Sequence, residues 1–563
     1  MNEPEVQCLW HVAEEDRART AEWANALGIP HLIAHLIQRR GIESVEEARG
    51  FLDPSLEHIS DPFLLEGMRE AVDRIGQARD RGEHVLVFGD YDVDGISGTA
   101  LLFNALRRFG IERCSYGLPS RLLEGYGLSP DRVEAAQHDG VTLIVTVDNG
   151  INAREAADMA RQLGIDLIVT DHHQLEGEMP YALAVIDPAR DNPPGPNRYA
   201  SGVTVAFKLA WALTGEQRDI DLCALGTVAD IVPLRGENRD LVAVGLDQMR
   251  RAPRIGLEAL AEAARISIAE VTSESIAFQL APRINAVGRL KDGELALQLL
   301  LSESPEEAHR IAHELDEANE ERRAIEHAIL EDALAELDET FHPDHRAIVL
   351  ARRNWHPGVI GITASQLQSR YNRPVILIAV DDDGVGRGSG RSLPEFDLVG
   401  ALNLCAGHLV RYGGHPAAAG MTILEENVQA FAESFDAEAR RRLPDGVSVK
   451  MLDVDGMVSL SEIEPRLLRS MEQLAPFGLS NPQPVFCSYA VQPVANSVRE
   501  LRGGHLKFAV RQGSQIMDVI GFRMAGRLTA TRAVDPIDIA FTPQFNTWRG
   551  ETTIPLVLKD IHI

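Results

Sequence analysis

Three aspartates at alternate positions, Asp90, Asp92 and Asp94, stand in the stretch HVLVFGDYDVDGISG, His84–Gly98. Carboxylates this close repel one another, and a hard divalent cation relieves the repulsion because Mg2+ and Mn2+ prefer oxygen ligands. Acids recur in the same kind of place further on: Asp148 in TVDNG, then Asp171 with His172 and His173 in VTDHH, each after an apolar run. A fourth acid position, Asp230 in ALGTVADIVPL, follows an apolar segment that reads as a helix. One strand-end aspartate is readily explained as a cap for the next helix. Three successive strand ends with a histidine pair are better explained by a metal site.

The elements that must position these groups alternate between strand and helix. Candidate strands are Val85–Phe88, Leu143–Val147, Leu167–Thr170 and Ala184–Ile186, with helical stretches such as Ser129–Gln137 and Ala153–Leu163 between them. This is the pattern of an α/β, doubly wound parallel sheet. Ligands of such sheets bind beyond the carboxyl ends of the strands, where the acids fall.

The whole chain bounds the reading. Its 563 residues exceed one hydrophobic core, so three or four domains are expected. Composition is that of a globular protein, 45% hydrophobic and 25% charged. No apolar run reaches membrane-spanning length, and the acidic start MNEPEV does not read as a signal peptide. Cys8, Cys114, Cys223, Cys405 and Cys487 stand far apart, which suits a reducing cytoplasm and argues against a zinc or disulfide framework. A net charge of −29 argues against nonspecific coating of nucleic acid, while leaving room for a local basic channel or bound metals.

Around the acid-bearing region, residues 1–80 read as a helical cap, with Ser44 as an N-cap and Glu47 completing its capping box. Residues 301–342 read as a long, partly exposed connector helix, started by Ser304 and Pro305. A second, smaller α/β pattern fills 343–445 and contains GRGSGRS, Gly386–Ser392, and GGHPAAAG, Gly413–Gly420. Both are read as glycine-rich loops that bring backbone amides to an anion, helped by Arg387 and Arg391. Residues 446–563 read as an all-β barrel. A barrel of this kind binds single strands through a basic groove and stacked bases, with Arg499, Arg502, His505, Lys507 and Arg523 as contacts and Phe508 and Trp548 as stacking platforms.

GDYDVDG, VDNG, DHH and GTVADIVPL, in this order and spacing, resemble the four motifs of the DHH phosphoesterases. PSRLLEGYGLS at Pro119–Ser129, SGVTVAFKL at Ser201–Leu209 and APRINAVGRL at Ala281–Leu290 narrow the resemblance to the bacterial RecJ-type exonucleases, nearly end to end. Two departures are Asp187 in VIDP, where the family usually has Asn, and Gly390 in GSGRS, where it often has Ala; neither is expected to touch a ligand. The resemblance implies a DHH catalytic domain over 81–300, a DHHA1 substrate-binding domain over 343–445 and an OB-type domain over 446–563. It implies degradation of single-stranded DNA from 5′ to 3′ into 5′-mononucleotides, in repair and recombination. The cofactors it implies are two divalent cations, Mn2+ or Mg2+.

By resemblance, Asp92 serves one metal and Asp94, His172 and Asp230 the other. Asp148, central among the strand ends, bridges them. Asp90 either ligates or orients its neighbours, and His173 either ligates or donates to a phosphoryl oxygen. Asp171 caps the turn or holds a histidine tautomer. Arg121, Arg283, Arg289, Arg387, Ser389, Arg391 and His415 are expected around the terminal and scissile phosphates. The implied partners are single-stranded DNA, single-strand-binding protein and a RecQ-type helicase, with no membrane and a monomeric chain. The competing readings are another DHH phosphodiesterase, such as an oligoribonuclease or cyclic-dinucleotide phosphodiesterase, and a non-catalytic single-strand-binding replication factor.

Overall fold

The computed structural model describes residues 8–120, 126–191, 195–290, 293–443, 449–527, 535–548 and 551–562. The chain divides into two compact units. One comprises Trp10–Asn285, Gly293–Ala312 and Leu452–Ile563; the other comprises Met1–Leu9, Ala286–Asp292 and His313–Met451.

In the larger unit a five-stranded sheet runs in the order Arg113–Gly117, His84–Phe88, Leu143–Thr146, Asp166–Thr170, Ala184–Ile186, with every pair parallel. Its side chains alternate between two cores. Val85, Val87, Val145 and Ile168 pack on one face with residues of the Met68–Arg81, Val93–Phe109 and Gly202–Thr214 helices. Phe88, Ile144, Leu167 and Val169 pack on the other with the Pro130–His138 and Arg154–Leu163 helices. Both faces are covered, which is why the central strands are apolar throughout. The edge strand Arg113–Gly117 escapes the sequence reading because RCSYG is half-exposed and carries no apolar run.

The start of the chain is not wholly helical. Cys8–Val12 is a strand paired with Lys450–Val454. The helices Arg17–Leu27, His31–Arg39 and Val45–Leu52 follow. Their buried residues Trp23, Ile33, Leu36 and Ile37 share one core with Phe486, Leu506, Phe508, Val519 and Phe541 of the C-terminal barrel. The helical start and the barrel, at opposite ends of the sequence, are thus one packed body. The barrel itself closes from five strands: Phe486–Pro493, Ile537–Pro543, Leu556–His562, Gln515–Gly521 and His505–Gln512, with Gln492 and Pro493 pairing back onto Arg511 and Val510. Closure removes the exposed edges of an open sheet.

The smaller unit holds a second sheet in the order Leu409–His415, Ala418–Leu424, Val385–Arg391, Val375–Val380, Ile348–Arg353, with only the last pair parallel. GRGSGRS is therefore mostly a strand and not a loop. Its glycines serve packing: a Cβ on Gly386, Gly388 or Gly390 would come within 2.7, 2.6 and 2.9 Å of Ile378, Met421 and Leu398. The period of two then sends Arg387, Ser389 and Arg391 to the opposite face. GGHPAAAG is likewise a tight hairpin between two strands. The connector helix is Pro305–Thr340, 36 residues, beginning in the larger unit and ending in the smaller. The Ser304 hydroxyl accepts from the Glu307 amide at its start.

The shared core carries a testable consequence. Removing residues 449–563 strips the barrel from Trp23, Ile33, Leu36 and Ile37, leaving an apolar patch of the kind that drives association. The truncated chain is expected to aggregate or to bind a hydrophobic dye strongly. A monodisperse truncated protein that unfolds cooperatively would contradict this.

Candidate metal centre

The acids converge where the parallel strands end. Beyond His84–Phe88 the backbone turns sharply through Gly89 and Asp90 into the Val93–Phe109 helix. Gly95 is required there, since a Cβ on it would press within 2.5–2.8 Å of the Asp90 backbone. Asp92 is the N-cap of that helix, its Oδ1 accepting from the amides of Asp94 (2.9 Å) and Gly95 (3.1 Å). Asp94, in the first turn, accepts through both oxygens from the start of another helix: Gly202 N at 2.6 Å and Val203 N at 2.9 Å. Two helix N-termini thus face two neighbouring carboxylates, one each, where their dipoles favour negative charge.

Asp148 follows the Leu143–Thr146 strand with φ 62°, the left-handed region that aspartate tolerates better than most residues. A Cβ on Gly202 would run into the Asp148 side chain, so glycine lets the Gly202–Thr214 helix start against it. Asp230 caps the C-terminal end of the Ile220–Ala229 helix, which bears out the helical reading of that segment. The His172 Nε2 atom stands 3.1 Å from Asp148 Oδ1, 3.7 Å from Asp230 Oδ2 and 3.9 Å from Asp94 Oδ2.

Three overlapping sets of donor atoms result, each within 4.8 Å: Asp90–Asp92–Asp148, Asp94–His172–Asp230 and Asp148–His172–His173. Asp148 belongs to the first and third, and His172 to the second and third. Among the described residues, Asp148 Oδ1, His172 Nε2 and Asp230 Oδ2 are buried without a hydrogen-bond partner. Buried polar atoms are normally satisfied. A donor set of oxygens and imidazole nitrogens with three unsatisfied atoms fits hard or borderline divalent cations.

The electrostatics agree. Burial, then the charges of Asp94, Asp92, Asp90 and Asp230, pushes the Asp148 carboxyl well above its ordinary value. Burial with the Asp94 and Asp92 charges pushes Asp230 up to about 9, and burial with Asp92 pushes Asp94 to about 7. His172 is lowered to about 4, first by burial and then by His173, so it stays neutral, as a metal-ligating imidazole must. His173 goes the other way. Burial would lower it, but a hydrogen bond to Asp171 and the surrounding acids raise it to about 9.

Asp171 does both jobs expected of it. Its Oδ1 accepts from the amides of His172 (2.8 Å) and His173 (3.2 Å) and from His173 Nδ1 (2.7 Å), while Oδ2 accepts from Ile151 N. Two contacts were not anticipated. The Tyr126 hydroxyl donates to Asp148 O (2.8 Å) and lies 3.0 Å from His173 Nδ1; a tyrosine in EGYGLS carries no signal of such a task in the sequence. Asp187 stands outside the expected ligands, yet the pairing of Ile186 with Thr170 lays it beside Asp171. Burial, then the Asp171 charge, raises its carboxyl to about 7, and it feels His173 as well.

The phosphate-binding candidates fall in several places. Arg121 lies outside the described residues. Arg283 donates to Gln279 O in its own helix. Within the smaller unit, three candidates gather near the start of the Ile360–Tyr371 helix. Arg289 Nη1 donates to Gly358 O (3.0 Å), Arg391 Nη1 donates to Ser389 Oγ (3.1 Å), and a Cβ on Gly361 would sit 2.8 Å from Ser389 Oγ and 3.0 Å from Arg391 Nη2. Arg387 shares their face of the strand. His415 is in the same cross-strand row as Ala418 and Arg391, two strands over.

On the barrel, Arg502 is exposed in the hairpin after Arg499–Leu501. Lys507 is paired with Asp518 (2.9 Å), and the His505 ring accepts from Arg523 N. Phe508 is no stacking platform: it is 1% exposed in the core, because the inward face of a closed barrel takes every second residue. The Trp548 side chain is outside what is described. Phe522, exposed and edge-on to His505, is the aromatic that reaches solvent there.

The raised carboxyls make stability depend on pH with a definite sign. Metal-free folded protein keeps protons on Asp94 and Asp230 that the unfolded chain releases above about pH 4. Its stability therefore falls as pH rises from about 4 towards 9. Asp148→Asn removes one charge from the cluster, so the metal-free variant should melt above the parent at pH 8, with the gap closing towards pH 4. Added Mn2+ should stabilise the parent and much less the variant. A variant that melts lower than its parent at pH 8 in EDTA would refute this.

Family models match three regions: the DHH family N-terminal domain over residues 84–231, the DHHA1 domain over 344–441 and the RecJ OB domain over 454–560. The chain is 36% identical to the single-stranded-DNA-specific exonuclease RecJ of Bacillus subtilis, covering 98% of this chain and 70% of that protein. It is 33% identical to the protein of that name from Escherichia coli, covering 95% and 96%. A crystal structure of RecJ from Thermus thermophilus in complex with Mn2+ superposes with a TM-score of 0.86 at 31% identity, covering 99% of this chain and 80% of that one. A Mg2+ complex from the same source gives 0.79. With all three domains matched and the identity running nearly end to end, the chain belongs to the RecJ family of DHH exonucleases.

Proposed function

We propose that this protein is a metal-dependent exonuclease that hydrolyses single-stranded DNA from 5′ to 3′, releasing 5′-mononucleotides. The observation that carries the reading is the convergence at the strand ends of two donor sets, Asp90–Asp92–Asp148 and Asp94–His172–Asp230, which meet where His172 Nε2 stands 3.1 Å from Asp148 Oδ1. Asp90, Asp92 and Asp148 would hold one divalent cation, and Asp94, His172 and Asp230 the other. Bound there, Mn2+ or Mg2+ supplies a water of lowered pKa and a clamp on the scissile phosphate.

The remaining residues orient and donate. The helix-start amides of Gly202 and Val203 fix the Asp94 carboxylate. Asp171 holds His173 with its Nδ1–H engaged, which leaves Nε2 to donate to a phosphoryl oxygen as charge develops. Arg289, Ser389 and Arg391 take the terminal phosphate, with Arg387 and His415 along the same sheet face, and Arg283 is a further candidate for the phosphates. Arg502, His505 and Lys507 contact the strand further on. No helix among the described residues is long and apolar enough to cross a membrane. The dispersed free cysteines favour a reducing compartment such as the cytoplasm, and the family supports a role in DNA repair and recombination, with the chain read as a monomer. Family resemblance alone supports single-strand-binding protein and a RecQ-type helicase as partners.

Digestion of end-labelled single strands with Mn2+ or Mg2+ tests the activity. Label at the 5′ end should leave first, as mononucleotide; initial release from the 3′ end would overturn the polarity. Arg391→Ala should lower kcat/KM on a 5′-phosphorylated strand about ten- to hundredfold more than on a 5′-hydroxyl strand, the value of one charge-assisted hydrogen bond. Equal slowing of both substrates would remove Arg391 from the 5′ end.

A further inference from the structure

A cavity of about 540 Å3 lies within the larger unit and includes none of the proposed metal ligands; it is lined by residues of Arg40–Phe51 from the helical start and of Leu234–Asp240, with His58, Ser60, Pro196 and Ser480. Its volume is in the range of small-molecule sites, roughly 300–1,000 Å3. Three arginines line it, Arg40, Arg235 and Arg239. Among the described residues none of the three forms an ion pair with a carboxylate. Arg40 is spent on the carbonyls of Leu36 and Pro482 and the side chain of Asn481. Arg239, 2% exposed, donates from Nη2 to Gln473 O and Ala475 O and stacks on Phe51 at 3.8 Å. Its Nε and Nη1 have no hydrogen-bond partner among the described residues.

The acids on the lining are already engaged. Glu237 pairs with Lys208 at 2.6 Å and accepts from Ser60 N, Asp240 faces His58 and accepts from Ser55 N, and Glu47 accepts from Glu43 N. Burial holds Arg40 and Arg239 down to about 10, still charged at neutral pH. The charges of Asp455 and Asp240 act on Arg40 and Arg239 from beyond ion-pair distance, but buried guanidinium donors left without a hydrogen bond remain costly. Arginine forks match phosphate oxygens.

We propose that this cavity is a binding site for a small phosphate-bearing anion, a nucleoside monophosphate or free phosphate, held by Arg239 and Arg235. The occupant would tie the helical start, the segment after Asp230 and the entry to the barrel together. Calorimetric titration of the full-length protein in Mg2+ with inorganic phosphate, deoxyadenosine 5′-monophosphate and deoxyadenosine tests it. Saturable binding of phosphate or nucleotide should persist in Asp148→Asn and Arg391→Ala, and weaken at least tenfold in Arg235→Glu and Arg239→Gln. Arg235 is exposed, so its variant decides the matter if Arg239→Gln fails to fold. Nucleotide binding at least tenfold tighter than phosphate, with the bare nucleoside silent, identifies the monophosphate; equal affinities identify free phosphate. Absence of saturable binding, or binding indifferent to Arg235→Glu, overturns the site.

Discussion

Repulsion among buried carboxylates is the constraint on which this fold is built. Asp90, Asp94 and Asp148 are nearly inaccessible, and Asp92 and Asp230 stand beside them. No ordinary core tolerates such a group of charges. The protein answers with oriented backbone: amides of two helix starts point at Asp92 and Asp94, and Asp171 is anchored by three amides. The residual mismatch, visible in the raised carboxyls of Asp148 and Asp230, is what divalent cations would relieve.

That constraint explains several glycines and one strained backbone. Gly95 and Gly202 are small because carboxylate-bearing segments must pass against helix starts, and Gly226 lets the Ile220–Ala229 helix approach Asp94. Asp148 adopts a left-handed conformation, a local cost retained where the side chain must be aimed. In the smaller unit glycine does a different job. Alternate glycines thin one face of the Val385–Arg391 strand for packing, which leaves its arginines and serine on the other. The same residue type therefore marks charge handling in one unit and sheet packing in the other.

The histidine pair shows how neighbours of one type diverge. His172 is buried among ligand atoms and kept neutral, whereas His173 is gripped by Asp171 and kept protonated in the metal-free protein. Two adjacent imidazoles driven in opposite directions can serve as ligand and as donor.

Much of this was legible in the sequence because it is local. Apolar runs ending in Asp148 and Asp171 announce parallel strands and place the acids at their carboxyl ends, since both strand period and ligand position follow from backbone geometry. The edge strand Arg113–Gly117 was not legible: half-exposed residues carry no such pattern. Tertiary structure alone decided that Phe508 points into the barrel, that GRGSGRS is a strand, and that Asp187 lies beside Asp171. It also decided that the first helices share a core with the last domain. Each depends on which segments, far apart in sequence, come to share a face, and a two-residue period or a single motif holds no information about its distant partner. Residue order determined the chemistry available to this chain; packing decided which of its charges stand together.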